Sequence, residues 1–168
     1  MRDELSEVQE AVRSSLEDVR RIALELRPEA LDDLGLVSAL AVLGERFAQR
    51  SGLIVTQHAD DPLPALDSES ELVLYRVAQE ALTNVARHSG SDRAELWLRT
   101  EDCRVVLTVS DSGRGLPADV EPGTGIRGMR ERAALIGATL VLERNGDGGC
   151  EVTLALRESD GEPPWWPR

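Results

Sequence analysis

Glu80, Asn84, Arg87 and His88 stand at positions i, i+4, i+7 and i+8 of an otherwise apolar stretch. On an α-helix these spacings fall on one face, so a carboxylate, an amide, a guanidinium and an imidazole would project together. The amide oxygen of Asn84 is a hard donor of the kind Mg²⁺ accepts. Arg87 and His88 are natural donors to phosphate oxygens. Glu80 could position a reacting group or accept its proton. A solvent-facing polar stripe has the same spacing, so this segment is informative only in company.

Two further segments supply that company. In Val109–Ser110–Asp111–Ser112–Gly113–Arg114–Gly115 an alternating apolar run delivers an acid into a glycine loop. A carboxylate at a strand end can accept a hydrogen bond from an exocyclic amine such as that of adenine, and Gly113 and Gly115 permit positive φ and close approach of a flat ligand. In Gly123–Thr124–Gly125–Ile126–Arg127–Gly128–Met129 a glycine-rich run opens a helix, whose free N–H groups and positive end make a phosphate site. The GxGxxG spacing also suggests a dinucleotide fold, but that reading needs a preceding βαβ strand, and a proline-containing loop stands there instead.

The elements that must position these residues can be read from periodicity. Over residues 4–27, Leu5, Val8, Val12, Val19, Ile22 and Leu26 form a narrow heptad stripe of coiled-coil type, ending before Pro28. A second helix is expected over 35–50, with Leu36, Leu40, Leu43 and Phe47 on one face, then a strand over 53–57. Ser68, with Glu71 three residues on, reads as a capping box opening a helix over 69–88. Residues 93–99 and 104–110 alternate as a hairpin. A glycine- and proline-punctuated loop over 111–125 leads to a helix over 126–136. Two strands, 138–143 and 150–156, close the pattern around the turn 145–149. The order predicts an α+β, two-layer α/β sandwich: a mixed, mostly antiparallel sheet covered on one face by helices, with a coiled-coil-type helix in front. The domain division expected is 1–34 for that helix and a linker, 35–157 for the sandwich, and 158–168 for a disordered tail that carries Trp165 and Trp166.

Composition narrows the function classes. The 168-residue chain carries a net charge of -12, which disfavours nonspecific binding to nucleic acid or anionic membranes. It also requires any polyphosphate to be held by local groups. Aromatics make up 3 % against 41 % hydrophobic residues, so the core is aliphatic. Two cysteines without CxxC spacing and two histidines give no metal-site pattern. No apolar run is long enough to span a bilayer, and the expected location is cytoplasmic, whether alone or as the cytoplasmic part of a membrane-bound sensor.

The three segments, in this order, resemble the N, G1 and G2 boxes of the GHKL ATPases, the superfamily of gyrase, a heat-shock chaperone, histidine kinases and a mismatch-repair protein. The stretches YRVAQEALTNVARHS (75–89) and GTGIRGMRERAALIGATL (123–140) are similar to the nitrate-sensor-like histidine kinases common in actinobacteria, as is VRRIALELRPEALDDLGLVSAL (19–40). The resemblance covers roughly residues 5–157. It implies an ATP·Mg²⁺ site in which Asn84 ligates the metal, Glu80 polarises the attacking group, and Arg87 and His88 face the phosphates. Asp111 would hold the adenine amine, with Gly113 and Gly115 shaping the pocket. Gly123, Gly125, Ile126, Arg127 and Gly128 would form the phosphate loop, and Met129 would pack near the base. Two departures stand out. Gly149–Cys150 replaces the Gly-Thr pair that often opens the family's last strand, and the phosphoacceptor histidine of a first dimerisation helix is absent, since His58 lies in an expected strand and His88 in the N box.

The expected function is therefore that of a sensor histidine kinase's ATP-binding catalytic domain. It would transfer the γ-phosphoryl to a histidine on a partner helix, for relay to a response-regulator receiver domain. The 4–27 helix is a candidate homodimer seam. Two alternatives share the fold: an anti-sigma-factor-like serine kinase, against which the heptad helix and the 25–36 linker argue, and a non-catalytic ATP-binding interaction module.

Overall fold

The computed structural model describes residues 28–115 and 123–157. The expected helix over 4–27 and the tail over 158–168 lie outside the described residues. Helix α1 (Glu29–Ser51) is followed by strand β1 (Ile54–Ala59), helix α2 (Ser68–Asn84), a π-helical turn (Val85–Ser89), strands β2 (Arg93–Glu101) and β3 (Arg104–Asp111), helix α3 (Thr124–Leu135), and strands β4 (Thr139–Arg144) and β5 (Cys150–Arg157).

The five strands form one sheet in the order β1-β2-β3-β5-β4. Among these described strands only β1 and β2 run parallel; the other pairs are antiparallel. Alternation sorts the side chains. Ala94, Leu96 and Leu98 from β2, Val105, Leu107 and Val109 from β3, and Val152 and Leu154 from β5 point to one face and enter a common core with Leu40, Leu43, Leu74, Val77, Ala81, Leu82, Met129 and Ala133 of the three helices. This is the mixed, one-side-covered sandwich that the pattern predicts. On the opposite face His58 stacks on Trp97, its registered neighbour, with ring centroids 3.8 Å apart. His58 thus faces away from the helix layer.

Several local expectations need adjustment. Helix α1 begins six residues earlier than expected, because a short turn from Glu29 is joined to the main helix across a kink at Gly35, whose φ of 73° suits glycine. The α2 cap is Asp67 rather than Ser68: the Asp67 carboxylate accepts a hydrogen bond from Ser70 N–H at 2.7 Å, so the helix starts one residue sooner than the Ser68–Glu71 box implies. Helix α3 likewise opens at Thr124 instead of 126. No helix among the described residues is long and apolar enough to cross a membrane.

Candidate nucleotide-binding site

The N-box residues sit where α2 changes pitch. Glu80 and Asn84 occupy regular α-helix one turn apart and are half-buried, while Arg87 and His88 lie in the π-helical turn and are exposed. The single face expected for all four therefore holds only as far as Asn84, because the wider π turn shifts the phase of the residues after it; such turns are frequent at functional sites. Gly90, at φ 74°, ends the segment.

The π turn is tied to the loop after β3. Gly113 packs so closely on the Ser89 carbonyl that a Cβ at this position would overlap it. Arg114 N–H donates to the same carbonyl at 2.9 Å, and Arg114 Nε donates to the His88 carbonyl at 2.6 Å. Gly113 is thus needed for a close backbone approach, whereas Gly115, at φ 68°, is needed for its conformation as well. The glycines read from the sequence as one kind of requirement serve two.

Asp111 is the last residue of β3 and is buried, with 6 % of its surface exposed. Its Oδ1 accepts the Gly113 N–H at 2.7 Å, which restrains the carboxylate rotamer. Across the sheet Gly149 lies against the Asp111 carbonyl with no room for a Cβ. Cys150 comes next, at the start of β5, and is half-buried. Burial, and then the neighbouring Asp111 and Glu151 carboxylates, push its thiol up to about 11, so it is a neutral thiol at physiological pH.

The third segment faces the first. Gly123 is the N-cap of α3 with no side-chain cap, and no acidic residue stands in the first turn. Among the described residues no side chain caps the leading N–H groups, and such an uncapped, positive helix end is the kind of feature that can meet an anion. Gly125 packs directly on the Glu80 carboxylate of α2. Arg127 is exposed and paired with Glu131 at 3.1 Å, Ile126 is half-buried against the core, and Met129 is fully buried within it. Gly128 leaves space for the Arg132 guanidinium.

The structure thus brings a buried acid at a strand end, a hard-donor pair on a helix and an uncapped helix N-terminus onto neighbouring segments. A family model described as histidine kinase-, DNA gyrase B-, and HSP90-like ATPase matches residues 69–160, more than half of the chain. The chain belongs to this ATPase family.

Curated relatives of this ATPase include the sensor histidine kinase MctS of Rhizobium johnstonii, 35 % identical over 92 % of this chain, and the oxygen sensor histidine kinase NreB of Staphylococcus carnosus, 36 % identical over 86 %. The chain spans only 34 % and 43 % of their respective lengths. Among solved structures, the histidine kinase domain of a blue-light activated histidine kinase from Erythrobacter litoralis superposes with a TM-score of 0.62 at 26 % identity, covering 72 % of this chain and 60 % of that one. The ATP-binding domain of PrrB from Mycobacterium tuberculosis shares the fold, with a TM-score of 0.59 at 21 % identity over 74 % of this chain and 95 % of that one. Within the family, the relatives to which this ATPase is similar are sensor histidine kinases.

Sequence reasoning passed over Ser89, Arg114, Arg144 and Asn145 of this ATPase. Arg144 donates to the Gly148 and Arg114 carbonyls, each at 3.0 Å, and Asn145 to the Asp111 carbonyl at 2.7 Å. The Asn-Gly-Asp-Gly-Gly composition of 145–149 signals a turn. Nothing in it signals a partner at Asp111.

Proposed function

We propose that this domain binds ATP with the adenine amine on Asp111 and the phosphates between α2 and the N-terminus of α3. It then transfers the γ-phosphoryl to a histidine nitrogen on a partner's dimerisation helix, releasing ADP. The phosphohistidine would serve a response-regulator receiver domain in the cytoplasm. The observation that carries this reading is the packing of Gly125 on Glu80. It sets the anion-binding end of α3 beside the carboxylate that would orient the attacking imidazole, so donor and acceptor groups of a phosphoryl transfer share one space.

Mg²⁺ fits the donors available. Asn84 offers one hard oxygen a turn from Glu80, and among the described residues no group of three or more His, Cys, Asp or Glu could hold a metal alone. An ion there would complete its shell with phosphate oxygens and water, the usual habit of Mg²⁺ at phosphate sites. When bound it would neutralise charge on the phosphates. Arg87 and His88, both exposed at the mouth, would add local positive charge against the chain's net charge of -12.

Titration calorimetry of ATP against the protein and its Asp111→Asn variant tests the pocket. The amide keeps the shape and puts a donor in place of one acceptor oxygen, so affinity should fall at least about tenfold. Unchanged affinity would remove Asp111 from the adenine site. The acceptor is tested with labelled ATP and a kinase fragment carrying the dimerisation-helix histidine: acid-labile, base-stable label on that fragment is expected, and label on serine would favour a serine kinase.

A further inference from the structure

The turn between β4 and β5 touches the floor of the adenine pocket through one side chain. The β3–β5 ladder ends at the pair Ser110↔Glu151, so the Asp111 carbonyl has no registered partner in β5. Asn145 takes that place, and its Nδ2 donates to the Asp111 carbonyl at 2.7 Å. Every other polar group of Asn145 is used inside the turn. Its Oδ1 accepts from Gly149 N–H at 2.9 Å and from Asp147 N–H at 3.2 Å, its N–H donates to the Gly149 carbonyl at 3.1 Å, and its carbonyl accepts from Gly148 N–H at 3.1 Å. This pattern fixes the amide orientation, because a flipped side chain would set donors against donors. Gly149, which lacks a Cβ, lets the turn close onto the same Asp111 carbonyl.

We propose that Asn145 is a positioning residue for base recognition: by tying the β4–β5 turn to the Asp111 carbonyl, it holds the Asp111 carboxylate where it discriminates a 6-amino purine from a 6-oxo purine. The inference rests on the assignment of Asp111 to the adenine amine. The Asp111 carboxylate is anchored on one side through Oδ1 to Gly113 N–H, and its backbone is anchored on the other by Asn145. A half-buried amide whose one outgoing bond goes to the base-reading residue constrains that residue and little else. Base selectivity depends on where Oδ2 sits: a 6-amino group donates to it, and a 6-oxo group repels it. Loosening the anchor therefore lowers the ratio of affinities more than it lowers phosphate binding.

The experiment measures dissociation constants for ATP and for inosine triphosphate by calorimetry, on the full chain and on its Asn145→Asp, Asn145→Ala and Gly149→Ala variants, with thermal melts alongside. Asn145→Asp keeps the acceptor for Gly149 and Asp147 but turns the donor to Asp111 into an anionic acceptor, whereas Asn145→Ala removes that donor without adding charge, so the two together separate the lost bond from the added charge. The expected result is a fall of about tenfold in the ATP preference for each variant that melts cooperatively, with inosine triphosphate affinity changed less. Equal losses for both nucleotides, or an unchanged ratio, overturn the proposal. Loss of the cooperative melt in all three variants overturns it too, since Asn145 would then be a folding determinant. The Asp111→Asn variant separates the two levels. If it keeps the ATP preference, the pocket reading fails; if it loses the preference while Asn145→Asp keeps it, only the role of Asn145 fails.

Discussion

Gly125 at the start of α3 lies on the carboxylate of Glu80 in α2, so that a methyl group added at Gly125 would occupy the space of Oε1. Two segments distant in sequence are thus in contact at the point where the proposed phosphoryl transfer would need a helix end and an acid together. The Gly125 backbone is not in the left-handed region, so an alanine there is conformationally acceptable and its whole cost falls on Glu80. Gly125→Ala is expected to reduce phosphotransfer by an order of magnitude or more while costing only ~1–3 kcal/mol of stability by overpacking. A phosphotransfer time course and a urea melt on the same preparation check this. A wild-type rate would show that Glu80 is not needed where it stands.

Gly113→Ala should act differently. Its Cβ would collide with the Ser89 carbonyl, which also accepts the Arg114 N–H, so the loop after β3 must separate from the π turn. We expect a loss of ~1–3 kcal/mol in stability together with weakened ATP binding, because the same displacement moves the hydrogen bond that sets the Asp111 rotamer. Calorimetry and denaturant melts read both effects, and an intact ATP affinity would show that the pocket tolerates an open loop.

Cys150 predicts a pH signature. Its thiol titrates near 11 in the fold and at the ordinary value of 9.0 when the chain is unfolded. Above pH 9 the unfolded chain gives up this proton while the folded chain keeps it, so stability is fully present below pH 9 and is lost as pH rises towards 11. Cys150→Ala should flatten this part of the stability–pH curve. The exposed Cys103 should react with a maleimide well before Cys150 at pH 8, since the thiolate is the nucleophile and Cys150 is held neutral and half-buried. Mass spectrometry of the singly labelled protein decides the order.

Asp67→Ala removes the α2 cap, which accepts Ser70 N–H at 2.7 Å and lies at the opposite end of the helix from Asn84. A cost of ~1 kcal/mol in stability is expected, with nucleotide affinity unchanged. An unchanged melt for Asp67→Ala would show that its carboxylate is not the cap that holds the start of α2.

Much of this was legible in the chain, for reasons that can be named. The aliphatic 3.6-residue period of α2 and the alternation of β2 come from local patterns that burial on one face imposes, and the structure matches them closely, whereas β3 departs from the alternation expected because Val106 and Thr108 on its other face are buried as well. The chemistry-bearing residues stood out because Glu80, Asn84 and Asp111 interrupt those patterns with polar groups. The π turn at 85–89 was not legible, since residues Val85 to Ser89 are compatible with ordinary helix and the close approach of Ser89 to Gly113 is a contact distant in sequence. The bond from Asn145 to Asp111 spans 34 residues and depends on how β4 and β5 dock, so no local pattern could reveal it. The heptad stripe of 4–27 makes its own prediction of a helical seam, which lies outside the described residues.

The lone parallel pair in the sheet has a bearing on how the molecule assembles. Helix α2 is the crossover between β1 and β2, and Ile54 can pair with Arg93 only after the intervening chain has folded back over the sheet. The antiparallel neighbours β2 and β3 need only the tight turn at Asp102–Cys103 and can zip locally. The carboxylate and amide of the N box therefore ride on a long-range closure, 39 residues from Ile54 to Arg93, and β3 must reach across 41 residues to pair Ser110 with Glu151. In a refolding experiment, nucleotide binding should appear with the last kinetic phase, after the hairpin signal is complete.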